Sequence, residues 1–284
     1  MESILVTGAS GNVGSYVLDF LKNREEIEVI AAVSSPESAK KLDTRIKSVV
    51  LNFEKPDTFV NALENIDRIF LMRPPQISKT KTTFLPFIEL AKKKGVKHIV
   101  FLSLIGVENN KIVPHYKIEQ YILASGIPYT FLRAGFFMQN LNTTHLSDIK
   151  NLRKIILPAG NGKTSFVDTR DIAEVAALAL SENNHFFKKY NLTGNEALTN
   201  FEVAELMSKE LKTKIIYQPT SIISFFRHLK KQNQPTAFVF VVIALYLVTR
   251  FGKAAAIYPD IQQILNRQPI SMVKFISDHK NTFE

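Results

Sequence analysis

The chain predicts an α/β fold, a doubly wound parallel sheet with a smaller, mostly helical C-terminal substrate region, and two observations carry that expectation. Through about residue 133, short β-branched runs alternate with helical patterns, the signature of a parallel sheet built from right-handed β-α-β crossovers. The first run, ESILV, ends in TGASGNVG, Thr7 to Gly14, which leads straight into the helical pattern Val13 to Leu21.

In order, the expected strands are Ser3 to Thr7, Glu28 to Val33, Lys47 to Asn52, Arg68 to Met72, His98 to Ser103 and Tyr129 to Arg133. Helices fall between them. The one over Thr82 to Lys94 carries Phe84, Phe87, Ile88 and Ala91 at helical spacing before Gly95 stops it. Beyond residue 133 the order loosens into a glycine turn at Gly160 to Gly162, a helix from Thr169 to Leu180, a strand near Tyr190 to Thr193, and then mostly helices. This divides the chain into residues 1–135, a nucleotide-binding domain, and 136–284, a smaller region packed against it, with an approximate boundary and room for elements to interleave. A cleft is expected between them at the C-terminal edge of the sheet, where open α/β sheets bind ligands.

Composition narrows the class. With 284 residues, 45% hydrophobic and 22% charged, and only 11 Gly and 12 Pro, the chain reads as a soluble globular protein. The formal charge of +10 comes from lysines in short scattered groups, so no nucleic-acid partner is expected. The absence of cysteine removes disulfides, thiolate metal sites and a cysteine nucleophile. The six histidines include no H-x-x-x-H pair, and no metal site is expected. The start of the chain has no signal-peptide pattern, which makes the cytoplasm the default. The apolar run AFVFVVIALYLV, Ala237 to Val248, is shorter than the roughly 20 residues that span a bilayer. It reads as a buried core helix, with the floor of a ligand pocket or a subunit interface as the alternatives, and no membrane partner is expected.

Gly8, Gly11 and Gly14 stand in G-x-x-G-x-x-G spacing between a strand and a helix. That context suits a dinucleotide: glycines let the backbone turn tightly and approach a pyrophosphate, and the helix start offers N–H groups and the positive end of its dipole. Ser10, Asn12 and Val13 complete the loop. A carboxylate about 20 residues further on would bind the ribose 2′-hydroxyl of NAD. Ser34 stands there instead, with Lys40 and Lys41 following, so NADP(H) is preferred and NAD(H) is the alternative; Glu37 is near enough in sequence to reverse that preference. Asn52 and Phe53, at the end of the third strand, would meet the adenine.

With these residues, the chain resembles the NmrA-like family of the atypical short-chain dehydrogenase/reductase superfamily over nearly its whole length. The resemblance rests on TGASGNVG, FLSLIGVE (Phe101 to Glu108), KIEQYILASGIPYTFLRAGFFMQNL (Lys117 to Leu141), SFVDTRDIAEVAALAL (Ser165 to Leu180), YNLTGNEALTNFEVAELMS (Tyr190 to Ser208) and IYPDIQQILNRQPISMVKFISDH (Ile257 to His279). It implies a Rossmann-like domain for NAD(P)(H) and a C-terminal substrate region. By the same resemblance, Lys117 contacts the nicotinamide ribose, Ser103 lies near the nicotinamide edge, and Arg73, Pro74 and Pro75 form a loop against the cofactor. Phe136, Phe137 and Met138 wall the substrate pocket. Relatives of this kind reduce quinones or related small carbonyls, or serve as cofactor sensors acting on a protein partner.

The chain departs from the superfamily at one point that bears on chemistry. The usual Tyr-x-x-x-Lys would place tyrosine four residues before Lys117, where Val113 stands. His115 and Tyr116 are the nearby substitutes, but neighbouring side chains at a helix start point in different directions, so at most one faces the nicotinamide. Asp171, opening an apolar helix, reads as a structural cap. The stretch LPAGNGKTSF lacks the first glycine of a P-loop and reads as a hairpin turn. The leading expectation is an NAD(P)H-dependent oxidoreductase acting on a quinone-like or aromatic acceptor, as monomer or homodimer. A dinucleotide-binding sensor without turnover is the second expectation and a nucleotide-sugar epimerase the third.

Overall fold

The computed structural model of the protein describes residues 1–40, 42–43 and 45–284. It groups them into two compact units, Met1–Ala134 with Thr169–Leu192, and Gly135–Asp168 with Thr193–Glu284. The first unit is interrupted after Ala134. The chain then comes back to it for a helix and a strand that the sequence reading left in the C-terminal region.

The first unit is built on seven strands: β1 (Glu2–Val6), β2 (Ile27–Val33), β3 (Lys47–Val50), β4 (Arg68–Met72), β5 (His98–Leu104), β6 (Tyr129–Ala134) and β7 (Lys188–Leu192). Their order is β7-β6-β5-β4-β1-β2-β3, and every pairing is parallel. The six expected strands are all present. The seventh pairs along β6 from Lys188 opposite Thr130 to Leu192 opposite Ala134. Parallel pairing requires a crossover, which the helix Thr169–Ser181 supplies.

Six helices accompany this sheet: α1 (Gly14–Leu21), α2 (Pro36–Ala39), α3 (Asp57–Ala62), α4 (Thr80–Lys93), α5 (Pro114–Ser125) and α6 (Thr169–Ser181). In α4 the expected apolar face is the real one, with Phe84, Phe87, Ile88 and Ala91 fully buried. Each of the larger three contributes roughly 1.5–3 kcal/mol of transfer free energy. The helix ends where Gly95 takes φ +81°, a left-handed conformation that costs glycine little. On α6, Ile172, Val175, Ala176 and Ala179 are fully buried, and the helix packs against α1. Arg24, just after α1, donates from Nη1 to the Ser181 hydroxyl at 2.7 Å.

The second unit holds three two-stranded ribbons. Phe136–Phe137 runs parallel to Phe166–Val167, Lys154–Leu157 parallel to Ile216–Pro219, and Lys163–Thr164 antiparallel to Leu198–Thr199. Helices α7 (Asn200–Leu211), α8 (Ile222–Lys231) and α9 (Thr236–Arg250) follow. A reciprocal cap starts α7: Thr199 Oγ1 accepts from the Glu202 N–H while Glu202 accepts from the Thr199 N–H. The core of this unit includes Val203, Met207, Phe225, Tyr246 and Phe275. The glycine turn before Lys163 is structural. A Cβ on Gly162 would lie 2.0 Å from the Thr249 carbonyl oxygen, so only glycine lets these two segments approach.

The apolar run of α9 is only half a core helix. Val239, Val242, Ile243 and Tyr246 are buried, but Phe240, Val241, Leu245 and Val248 on the opposite face are exposed. Among the described residues, no helix is long and apolar enough to cross a membrane.

Candidate functional site

Strand order reverses between β1 and β4, and the crevice outside the carboxyl ends of such strands is where open α/β sheets receive ligands. The loops leaving these two strands hold the first group of sequence-predicted residues. Thr7 ties them together: its N–H donates to the Phe70 carbonyl at 3.0 Å, and its hydroxyl accepts from the Met72 N–H at 2.8 Å.

The turn after β1 is shaped by close backbone contact. Gly8 has φ +64°, and a Cβ there would lie 2.0 Å from Met72 Cε. A Cβ on Gly14 would lie 2.2 Å from the Gly8 carbonyl oxygen and 2.6 Å from its carbon. Gly11 N donates to that same Gly8 oxygen at 2.9 Å, closing the turn. Ser10 and Asn12 are exposed, while Val13 is buried beneath the turn. Helix α1 then begins with no side-chain cap and no acidic residue in its first turn. The positive end of its dipole is therefore left to an external anion. Such a turn offers backbone rather than side chains to a ligand, which is what a pyrophosphate needs.

After β2, Ser34 is exposed, and Ser35 caps α2 by accepting from the Ser38 N–H at 3.3 Å. Glu37 is turned to the same cap. Hydrogen bonds from its own backbone N–H, then from the Ser35 hydroxyl, hold its carboxyl below the ordinary carboxylate range. Lys40 is exposed at the end of α2, and Lys41 lies outside the described residues.

At the end of β3, Asn52 Oδ1 accepts from the Glu54 N–H at 2.9 Å, and its backbone N–H donates to Thr58 Oγ1 at 3.1 Å. Phe53 offers no open face of the kind the sequence suggested for adenine. It is buried, stacked on Phe84 with centroids 4.4 Å apart, and set edge-on to Phe87 at 5.2 Å. It anchors the strand end, and Asn52 is left as the polar group there.

Arg73 does not project as a free cation. Its Nη1 donates to the carbonyls of Pro74, Pro75 and Ile77 at 3.0, 3.0 and 2.7 Å, which fixes the loop after β4, while Nε is buried without a partner. Burial lowers its affinity for its proton. His115, in the first turn of α5, stands near enough to feel that charge. Burial first, and then the Arg73 cation, push its pKa down to about 3, and its ring lies 6.0 Å from that of Phe101. Burial thus favours the neutral imidazole of His115. Tyr116 is half-buried and Lys117 exposed. Val113, where a tyrosine would complete the superfamily pattern, is the extended residue that caps the helix start.

Sequence reasoning missed a buried polar network beside this helix. Ser103, 1% exposed at the end of β5, donates to Glu119 Oε1 at 2.7 Å. Arg133 on β6 grips the same carboxylate through Nε at 3.1 Å and Nη2 at 2.8 Å, and its Nη1 reaches Glu108 at 2.8 Å. Burial opposes the Arg133 charge, but the Glu119 hydrogen bonds and the two carboxylate charges outweigh it and raise its pKa. The Ser103 hydroxyl is thus committed to Glu119. One signal was available: Glu119 sits between Ile118 and Ile122 on the buried face of α5, and a charge there demands a partner.

Phe136, Phe137 and Met138 belong to the second unit. Phe136 and Phe137 are half-buried, and the Phe136 ring lies 6.2 Å from that of Tyr246. Met138 is 1% exposed inside the core of its unit. Tyr246 hydrogen-bonds His145 Nε2 and is buried, which pushes its pKa up. Asp171 is fully buried in the first turn of α6. Among the described residues, no cluster of His, Cys, Asp or Glu is placed to hold a metal.

A family model described as the NmrA-like family matches residues 1–274. The chain is 27% identical over 285 residues to an NAD(P)H azoreductase of Xenophilus azovorans, covering 99% of each. It is 28% identical over 237 residues to quinone oxidoreductase 2 of Escherichia coli, covering 82% of each. The crystal structure of a Citrobacter sp. triphenylmethane reductase complexed with NADP(H) superposes with a TM-score of 0.84 at 24% identity, covering 99% of this chain and 100% of that one.

Proposed function

The chain belongs to the NmrA-like family, and from that premise we propose that it reduces a small quinone-like or aromatic acceptor with hydride from NADPH, NADH being the alternative donor. The single observation that carries the reading is the glycine turn at the switch point between β1 and β4. Its backbone is pressed together at Gly8 and Gly14, and the uncapped start of α1 stands behind it. The relatives named above, one acting with NAD(P)H on azo compounds and one named for quinones, support the same class.

In this reading the N–H groups of Asn12 and Val13, beside the Gly11 N–H that closes the turn, and the dipole of α1 hold the pyrophosphate. Ser34 and Lys40, both exposed after β2, accommodate the 2′-phosphate. Arg73 stiffens the loop after β4, and the exposed Lys117 ammonium sits by the ribose and the charge that develops on the acceptor oxygen. The bound nicotinamide supplies the hydride. Proton delivery falls to Tyr116, to the N–H of a neutral His115, or to water. A quinone tolerates this, since a reduced electron-poor ring is readily protonated from solvent. Phe136 and Phe137 are proposed to wall the acceptor.

Purified protein mixed with NADPH and a panel of small quinones and azo compounds tests the reading. Absorbance loss above the uncatalysed rate, with kcat/KM reduced at least tenfold in Lys117→Met, is expected. One observation favours a second reading: Val113 in place of the donor tyrosine and a neutral His115 suit a cofactor sensor that acts on a protein partner. Tight NADPH binding with no consumption against the whole panel would select it.

A further inference from the structure

The hairpin of α8 and α9 carries an apolar stripe that is exposed among the described residues. On α9 the exposed residues Phe240, Val241, Leu245, Val248 and, just past the helix, Phe251 recur at one-turn intervals, so they line a single face. Phe240 is 60% exposed and Phe251 72%. The stripe continues onto α8, where Phe226 packs on Phe240 with ring centroids 5.6 Å apart and Ile223, one turn earlier, is 65% exposed. Exposed aromatic and aliphatic side chains that are contiguous in this way mark an interaction surface.

Charge decides the partner. Between Glu210 and Asp260 the sequence contains no carboxylate side chain and seven Lys or Arg. Five of them, Arg227, Lys230, Lys231, Arg250 and Lys253, are exposed on the same two helices or just beyond α9. A two-fold interface between copies would bring these like charges against one another around a shared apolar centre. An anionic lipid surface would instead attract the cations of α8, Arg227, Lys230 and Lys231, while taking up the apolar stripe, as interfacial helices with an apolar face and a cationic rim do.

We propose that the α8–α9 hairpin docks this protein on the surface of anionic lipid bilayers, lying in the interface without spanning it. The sequence alone argued against a membrane partner because the run is too short to cross; lying flat needs only one exposed face and a cationic rim. The proposal stands apart from the reductase reading, and its test needs no cofactor.

The test is co-sedimentation of the full chain with phosphatidylcholine vesicles and with vesicles containing about one third phosphatidylglycerol, at low salt and at about 0.5 M salt. Binding to the anionic vesicles is expected to exceed that to the neutral ones by at least about tenfold and to weaken at high salt. Phe240→Ser with Leu245→Ser keeps the net charge and alters only exposed side chains; it should lower the affinity by about tenfold or more. Lys230→Gln with Lys231→Gln should lower it by about 25-fold, at about fivefold for each lost cation. Circular dichroism and melting temperature verify that both variants remain folded. Anionic vesicles that leave the protein in the supernatant at millimolar lipid overturn the proposal, as does a Phe240→Ser, Leu245→Ser variant that binds as well as the parent. So does a dimer in light scattering that these substitutions dissolve, which assigns the face to a second copy. Soluble polyglutamate that binds as tightly as the vesicles, through the same stripe, assigns it to an acidic polypeptide.

Discussion

Replacing Gly14 with alanine places a Cβ 2.2 Å from the Gly8 carbonyl oxygen, 2.6 Å from its carbon and 3.0 Å from the Ala9 nitrogen. All three atoms are backbone, so no rotamer change relieves the clash. The Gly8 carbonyl must retreat by about 1.2 Å to restore the ordinary 3.4 Å contact, and overpacking of this kind costs about 1–3 kcal/mol. At about 2–4 °C per kcal/mol, the melting temperature falls by several degrees. The displaced atom belongs to the turn that would hold the pyrophosphate, and a misplacement of about 1 Å in a binding frame typically costs about a hundredfold. The proper control is Gly95→Ala at the end of α4, where a Cβ meets nothing within 4 Å but φ is +81°. Left-handed alanine costs about 1–2 kcal/mol there, a similar loss of stability at a site remote from the turn. Calorimetric titration with NADPH, run beside thermal melts of both variants, should show a Kd weakened about a hundredfold for Gly14→Ala and unchanged for Gly95→Ala. A Gly14→Ala protein that binds within twofold of the parent would refute the assignment of the turn.

Three further outcomes are expected. Ser34→Asp puts a carboxylate at the end of β2, where it would pair with a ribose hydroxyl and repel a 2′-phosphate; the ratio of kcat/KM for NADPH to that for NADH should fall by about tenfold or more, and an unchanged ratio would remove Ser34 from the adenosine site. Glu119→Ala strips the buried partner from both Ser103 and Arg133, and urea unfolding should register a loss of about 3–5 kcal/mol, with Glu119→Gln costing less. Burial pushes the pKa of His98 down to about 3 and that of His145 to about 4, against an unfolded value of 6.5. Both are neutral in the folded protein, so their contribution is complete above pH 6.5 and is lost as pH falls toward about 4 for His145 and about 3 for His98. The melting temperature should drop over that interval, and His98→Gln should flatten part of the slope whatever its starting stability.

Local signals in the chain were enough to locate β1 to β6, because each is a short β-branched run closed by a turn, and to place the Gly8 to Gly14 turn between strand and helix. The seventh strand reads KKYNL, with two exposed lysines in its first positions, and nothing local reveals that it lies along β6. Contacts across long stretches of chain were hidden in the same way. Arg68, buried at the start of β4, reaches Asn183 and Glu2 at 2.8 and 2.9 Å, and neither partner is near it in sequence. Ser103 was correctly placed at the end of β5, but its hydroxyl was claimed by Glu119, one helix away. The run Ala237 to Val248 was correctly seen as too short to span a bilayer; it was read as a core helix, with a pocket floor or a subunit interface as alternatives, because an apolar side chain in a sequence does not say which face of its helix meets the core.

The central claim is that the turn between β1 and α1 holds a reduced nicotinamide dinucleotide for hydride transfer. Calorimetric titration of the parent protein with NADPH tests it most directly. A saturable, one-to-one isotherm with a Kd in the micromolar range is predicted, and no saturable heat up to millimolar NADPH, in protein shown to be folded, would contradict it.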